Sequence, residues 1–416
     1  RRVPGSDFDN FMETAGGSNN ASTTLDRTNY FSNGPAKILP LLMWLAADRM
    51  EELGQTMTVE KLNLQRDVVR NEIRQNVENT PYSRAYEASY QQAYPEGHPY
   101  HMGVYGTHED LEAATALNIQ DFFSTFYTPE NCALVVAGNF DLAEVKAQVK
   151  AMYGSIPRGN APAQVTAAPV KMEKVVRSSM LDKVELPKIN LIFHSPGSYA
   201  AGDAEMNLIS LLLAEGKNAR LYQKLVVEKK TAVSVTASQD GGALGSLFRV
   251  EIIAKPDADL SVLEADALAV INELANVGPS DVELAARKAT VEFGLLSSLQ
   301  SLAARADKLN EYNYYFGTPD GLGRDLQRYR DANVAGIKAA CKSVFQVPGY
   351  IVQRILPTEA QPGESVREKR PADLEAAPFA APTPTEMSLP NGMNIYVLQR
   401  TDLPISRLHD SVTWGN

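Results

Sequence analysis

The amino-acid sequence predicts an α+β protein with two domains and the beginning of a third. The chain has 416 residues, which is more than one ordinary domain of about 100–200 residues contains. Segments with helical spacing of apolar residues alternate with short apolar runs that are typical of strands. Segments rich in Pro and Ala divide the chain into 1–160, 166–357, a linker at 358–385 and a further beginning at 386–416.

The composition is that of a globular protein, and it excludes some classes of partner. Apolar residues make up 44% of the chain and charged residues 22%, close to the usual shares for folded domains. A net charge of −10 argues against nucleic acid, because a phosphate-binding surface needs an excess of basic residues. No apolar run approaches the roughly 18 residues of a membrane span. Cys132 and Cys341 lie in apolar stretches, and we expect them to be buried.

In the first block, apolar spacing and stop signals predict helices and two strands. The helix over 38–53 is apolar on most sides, so we expect it to be buried. Asp141 is placed to cap the last helix. The predicted helices cover 8–15, 38–53, 59–78, 119–126 and 142–152, and the predicted strands cover 19–31 and 132–137.

The second block has the same mixture of elements. Ser280 and Glu283 are three residues apart and form a predicted capping box. The run 247–254 alternates, which places Phe248 on the buried face and Arg249 on the solvent face. Strands are predicted over 188–194, 231–238, 247–254 and 350–356, and helices over 204–214 and 219–228, followed by further helices up to 345.

The two blocks also end alike. Both 126–141 and 344–357 run from a helix through a proline-containing turn into an apolar strand. This similarity indicates that the two domains are copies of one α+β fold.

One carboxylate in the first block is a candidate for chemistry. Glu72 lies on or beside the apolar stripe of its predicted helix, and a buried carboxylate is costly unless it is paired or bound to a metal. Spacing alone leaves three interpretations open: a salt bridge to a nearby arginine, an edge position facing water, and a metal ligand. The stripe consists of Leu64, Val68, Val69, Ile73 and Val77.

Several longer motifs occur in a characteristic order. They are AGGSNNASTTLDRTNYF at 15–31, QRDVVRNEIRQNVENTPYSRA at 65–85, GHPYHMGVYGTHEDL at 97–111, FFSTFYTPENCALVVAGNFD at 122–141, LLLAEGKNARLYQKLVVEKK at 211–230 and LPNGMNIYVLQRTDLP at 389–404. Together they resemble the M16 metallopeptidases, the family of insulinase, pitrilysin and mitochondrial processing peptidase. The resemblance covers nearly the whole chain in the correct order.

The resemblance implies two homologous M16-type α/β sandwich domains, of the kind found in LuxS and mitochondrial processing peptidase, and the start of a third. It implies a zinc metalloendopeptidase that hydrolyses peptides inside a clamshell chamber, closed by a second half of the same chain or by a partner M16 subunit. In that family a His-x-x-Glu-His helix supplies two zinc ligands and the general base, and a later helix supplies a third ligand, which Glu72 matches. Three protein ligands leave zinc one open position for water.

The chain departs from the family at the zinc motif. It has five histidines and no His-x-x-Glu-His sequence. The resemblance would place that motif a few residues before Arg1, so we expect it to be missing from this fragment. The fragment should then contain no catalytic residue and be inactive alone. Gln65 stands where many members have a supporting Glu.

The resemblance also implies residues that contact the peptide. Asn20 and Ala21 match an edge strand that holds the substrate in extended form, and an ordinary edge strand is the alternative. Arg220 and Tyr222 match substrate-contacting residue types, but packing is the alternative for both. For the whole protein, the rival interpretation is a non-catalytic M16-like subunit that binds peptide or acts as a scaffold. We expect the bacterial cell envelope or periplasm as its location, with the cytoplasm as the alternative.

Overall fold

A computed structural model describes residues 3, 7–358 and 383–397 of this chain. The chain divides into two compact units, 1–358 and 359–416. Within the described ranges, no helix is both long and apolar enough to span a membrane.

The first part of the larger unit, up to residue 157, consists of helices and one β-hairpin. The predicted strand over 19–31 is this hairpin, formed by β1 (Ser18–Thr23) and β2 (Thr28–Asn33). Asp141 caps the last helix as predicted, because its side chain accepts a 2.8 Å hydrogen bond from the Glu144 amide. The helices are α1 (Asp7–Thr14), α2 (Leu39–Glu52), α3 (Val59–Ile73), α4 (Ser83–Ala93), α5 (His108–Ala113), α6 (Ala116–Phe126) and α7 (Leu142–Tyr153).

The second part, from residue 176 to 358, is built around a five-stranded sheet. Its strands are β3 (Val176–Asp182), β4 (Lys188–Ser195), β5 (Ala232–Asp240), β6 (Ser246–Ala254) and β7 (Ile351–Pro357). Its helices are α8 (Asp203–Ala214), α9 (Leu260–Val277), α10 (Asp281–Ser298), α11 (Leu302–Phe316), α12 (Leu322–Asp331) and α13 (Val334–Phe345). The strand order is β3-β7-β4-β6-β5, with β3 parallel to β7 and the other neighbours antiparallel. The predicted strands of this block are confirmed, and β3 is an additional edge strand.

Two predicted helices contain π-helical turns. Arg74–Glu78 continues α3 to the end of the predicted helix, and Tyr222–Glu228 forms most of the helix predicted over 219–228. The capping box of Ser280 and Glu283 is confirmed at the start of α10. The connector at 157–169 contains neither helix nor strand.

Packing covers both faces of the sheet. On one face, α8, α9 and α13 form the main core together with Ile189, Leu191 and Phe193 of β4. On the other face, Tyr90 and the loop after α4 pack against Ile192. Because both faces are covered, β4 is buried along most of its length, as in strands that lie inside a layered fold.

The prediction that Arg249 faces solvent is wrong. Its side chain is only 1% exposed, because α4 covers that face of β6. The guanidinium lies 4.4 Å from the ring centroid of Tyr86 and forms an ion pair with Asp240. Alternation along β6 carries no information about a helix that comes from a distant part of the chain.

The prediction of a strand over 132–137 is also wrong. These residues belong to no strand, and Cys132 is exposed rather than buried, as is Leu134. A strand needs a neighbour that takes up its backbone hydrogen bonds. In the first part, β1 and β2 are the described strands, and they pair with each other. The corresponding run of the second block, β7, has neighbours on both sides, so the two blocks differ where the sequence suggested a repeat.

In the smaller unit, the described residues form a hairpin. Strands β8 (Thr385–Ser388) and β9 (Asn394–Val397) pair antiparallel, as expected from the hairpin-like sequence that begins at Leu389. Most of the predicted linker and the rest of the predicted third domain lie outside the described residues.

Asp182 joins the first part to the edge of the sheet. Its buried carboxylate accepts a 2.9 Å hydrogen bond from the Tyr82 amide and a 3.0 Å hydrogen bond from Arg84. Burial raises the pKa of this carboxyl, but the hydrogen bonds outweigh burial and hold the pKa below its usual value.

We expect Asp182→Asn to lower the free energy of unfolding at pH 7 by about 1–3 kcal/mol, because two donors of the first part lose a charged acceptor. A depressed pKa in the folded state stabilises the protein above the unfolded pKa of about 4, and this contribution disappears as the pH falls through the folded value. The difference in Tm between wild type and variant should therefore shrink from pH 7 to pH 3 in calorimetry. The exposed control Asp257→Asn should leave Tm unchanged. A Tm difference that is the same at pH 7 and pH 3 would contradict a stabilising role of the charged Asp182 carboxylate.

Candidate functional site

Glu72 lies in the last turn of α3 with an exposed side chain. The arginines on either side of it bind elsewhere. Arg70 forms an ion pair with Glu112, and Arg74 donates a 3.2 Å hydrogen bond to Asn71. Among the residues that the structure describes, no salt bridge neutralises Glu72. The geometry therefore agrees with an exposed carboxylate that can accept an external ligand, and it disagrees with the salt-bridge interpretation.

The apolar stripe of the same helix is only partly buried. Ile73 is buried, but Leu64 is 68% exposed and Val68 is 48% exposed, so the expected burial is wrong at these two positions. Burial requires a covering surface, and the described residues supply none on this side of α3. Glu72 therefore lies on the same helix as two exposed apolar side chains, Leu64 and Val68.

The histidines of the described ranges make structural contacts. Nδ1 of His98 accepts a 3.0 Å hydrogen bond from the Tyr100 amide, and Nε2 of His194 lies 2.9 Å from the carbonyl oxygen of Ala93. Burial lowers the pKa of both rings, which favours their neutral forms. His409 lies outside the described residues.

The described residues of this chain do not form a zinc site by themselves. In the described ranges, no group of three or more His, Cys, Asp or Glu side chains converges. A catalytic zinc site takes three protein ligands. Burial raises the pKa of the Cys341 thiol to about 12, which favours its protonated form. Glu72 is thus a candidate ligand that has no companion ligand in the part of the chain that the structure describes.

Asn20 and Ala21 lie in the middle of β1. Among the described residues β1 pairs with β2 alone, so its other edge is open to a further strand. The amide of Ala21 donates a 2.8 Å hydrogen bond to Oδ1 of Asn20. A peptide carbonyl that accepts a hydrogen bond from this amide must therefore displace the Asn20 side chain. The displaced amide group is then free to form its own hydrogen bond with the peptide.

Arg220 and Tyr222 lie in the second part of the chain. Nε and Nη2 of Arg220 are 3.2 and 2.9 Å from the carboxylate of Glu283, and Nη2 also donates to the Gly278 carbonyl at 3.3 Å. Tyr222 begins a π-helical turn and packs against the main core. These contacts agree with the packing alternative for both residues.

Sequence reasoning missed the residues that anchor the hairpin. Asp26, in the turn between β1 and β2, accepts hydrogen bonds from the hydroxyls of Tyr100 and Tyr315. Asp307 of α11 accepts one from Arg27, the residue just before β2. Asp in a short polar segment is a common turn former, so the local sequence carried no sign that this carboxylate reaches the second part.

We expect Arg220→Ala to destabilise the fold without weakening peptide binding, because it leaves the half-buried Glu283 without its partner. Calorimetry should show a lower Tm, by an amount that corresponds to about 1–3 kcal/mol. Glu283→Ala completes a double-mutant cycle; it also removes the capping box with Ser280, so the coupling is given by the amount by which the double variant is less destabilised than the sum of the two single variants. A normal Tm combined with loss of binding to a labelled, unstructured peptide would instead make Arg220 a substrate contact.

Comparisons with known proteins agree with the resemblance inferred from the motifs. The family model "Peptidase M16 inactive domain" matches residues 113–291. An uncharacterized zinc protease of Mycobacterium tuberculosis is 24% identical over 338 residues, which are 80% of this chain and 76% of the relative. The zinc protease PqqE of Helicobacter pylori is 25% identical over 317 residues, or 75% of this chain and 70% of that protein.

Solved structures match the fold. A protease from Helicobacter pylori superimposes with a TM-score of 0.77 at 23% identity, covering 86% of each chain. The periplasmic protease PqqL from Escherichia coli superimposes with a TM-score of 0.69 at 16% identity, over 97% of this chain and 50% of that chain. The mixed α/β fold is therefore that of M16-like domains. The resemblance to the M16 peptidases is confirmed by a family model over 113–291, by relatives that are named zinc proteases and by the matching fold.

Proposed function

We propose that this chain is the peptide-binding part of an M16-type zinc metalloendopeptidase and supplies one of its zinc ligands. The observation that carries the proposal is the exposed carboxylate of Glu72, in the family context Val69-Arg70-Asn71-Glu72. Both neighbouring arginines are engaged by other partners. A carboxylate that is paired internally would have to break an ion pair before it could bind a metal, and Glu72 has no such cost.

The chain alone does not complete the metal site. The two histidine ligands and the general base would come from residues outside these 416. When bound, zinc would lower the pKa of its water and polarise the scissile carbonyl. A single carboxylate does not hold zinc tightly, so we expect the chain alone to be inactive.

The substrate in this proposal is an unfolded or small peptide that adds to the open edge of β1 near Asn20 and Ala21. Main-chain pairing tolerates many side chains, which suits a peptidase of broad selectivity. Two M16-type domains, 1–160 and 166–357, would form one wall of a chamber, and a second half of the same chain or a partner M16 subunit would close it. The match to half of the periplasmic PqqL supports a two-half arrangement and a periplasmic location.

A non-catalytic M16-like subunit is the second candidate. It is favoured by the match of 113–291 to the domain model named inactive. Such a subunit would bind peptide on β1 or act as a scaffold, and Glu72 would not need a metal. The two candidates differ in whether Glu72 binds zinc.

The test is a zinc titration of the protein expressed from its complete reading frame, with and without Glu72→Gln. The amide keeps the size of the side chain and removes its charge, so we expect zinc affinity to fall at least about tenfold, as for the loss of a partner in a metal site. The matched control is Glu60→Gln, an exposed glutamate in the first turn of α3, about 18 Å along the same helix axis. Equal zinc affinity in wild type and Glu72→Gln would remove the ligand assignment and favour the non-catalytic candidate.

A further inference from the structure

The β1–β2 hairpin has little core of its own. Most residues of both strands are exposed. An isolated two-stranded hairpin is at best marginally stable in water. Contacts beyond the hairpin must therefore fix its orientation, and with it the direction of the open edge of β1.

The carboxylate of Asp26 is the centre of these contacts. Oδ1 accepts a hydrogen bond from the Tyr100 hydroxyl. Oδ2 accepts a 2.8 Å hydrogen bond from the Ala243 amide and a 2.9 Å hydrogen bond from the Tyr315 hydroxyl. The three donors come from the loop after α4, the turn between β5 and β6, and α11. One side chain of the hairpin turn thus joins three elements that are distant in sequence.

The surface that receives Asp26 is tightly packed. Tyr100 is only 2% exposed. Its hydroxyl, which donates to Asp26, accepts a 3.1 Å hydrogen bond from the Leu244 amide. A Cβ atom at Gly242 would lie 2.6 Å from that hydroxyl, so no larger residue fits there without movement. The Tyr100 hydroxyl is therefore held between the Asp26 carboxylate and the turn at Gly242 to Leu244.

A second anchor involves Arg27, the residue next to Asp26. Asp307 of α11 accepts a 2.8 Å hydrogen bond from Arg27 and a 3.0 Å hydrogen bond from Asn29. The ion pair of Arg27 and Asp307 is partly open to solvent, and such pairs contribute little stability. Asp26 is the stronger restraint, because one half-buried charged acceptor binds three donors from three different elements.

We propose that Asp26 is a positioning residue that holds the open edge of β1 ready for peptide addition. The inference rests on the proposed function, in which that edge binds the substrate. An edge that is already ordered loses less conformational entropy when a strand pairs with it. Asp26 does not touch the peptide and acts through β1.

The experiment compares wild type, Asp26→Asn and Asp9→Asn. Asp9 is the matched control, because it also bonds to the hairpin, at Asn19, but at an exposed position. Affinity is measured by anisotropy with a labelled, unstructured peptide of about ten residues, longer than the six of β1. Hydrogen exchange of 18–33 and 188–195 is followed in the same variants.

We expect Asp26→Asn to bind peptide about tenfold more weakly, since part of a charged hydrogen-bond network is lost. Exchange should accelerate in 18–33 and stay unchanged in 188–195, the centre of the sheet. Asp9→Asn should resemble wild type. Tyr315→Phe removes one of the three donors, so it should weaken peptide binding and accelerate exchange in 18–33 to a smaller extent. This variant replaces Asp26→Asn in the test if Asp26→Asn does not fold.

The outcomes separate the two proposals. If wild type binds no peptide, the proposed function fails, while the exchange data still test the anchoring by Asp26. If wild type binds and Asp26→Asn binds equally well, the positioning role is overturned, even if the hairpin exchanges faster. Unchanged exchange in 18–33 overturns it as well.

Discussion

The packing of α4 and its following loop against the second face of the five-stranded sheet is the contact on which the larger unit depends. It buries Arg249 between the sheet and Tyr86, and it brings Tyr90 and Tyr94 against Ile192. A charged side chain is tolerated there because an aspartate and aromatic faces surround it. The same loop presents the Tyr100 hydroxyl to the hairpin turn. The position of the candidate peptide-binding edge thus follows from the way the first part of the chain covers the sheet.

Much of this fold could be predicted from sequence, where the signal is local. The capping residues Asp141 and Ser280, the apolar strand β4 and the helices with regular spacing were all predicted, because each depends on neighbours within a few residues. The failures share one cause. The burial of Arg249 and the unpaired run 132–137 depend on whether another segment covers or pairs with them, which local patterns do not reveal.

The candidate site likewise has features that the sequence predicts and features that only the structure shows. Glu72 could be singled out by the motif around it, but its exposure and the engagement of Arg70 and Arg74 elsewhere needed the structure. Asp26 had no signal beyond that of a turn residue, since its three donors lie far along the chain. The sequence contains no His-x-x-Glu-His motif, so in the proposed function this chain contributes a single carboxylate, Glu72, to the metal site. The candidate peptide-binding edge, by contrast, lies wholly within the described residues, as strand β1.

The central claim is that an extended peptide pairs with the open edge of β1. Hydrogen exchange of the protein with and without a saturating unstructured peptide tests this claim most directly. Strand addition gives the outward amides of β1 hydrogen-bond partners, so we expect slower exchange within 18–23 and little change in 188–195, which is buried already. Peptide binding that leaves exchange in 18–23 unchanged and slows it elsewhere would contradict the account.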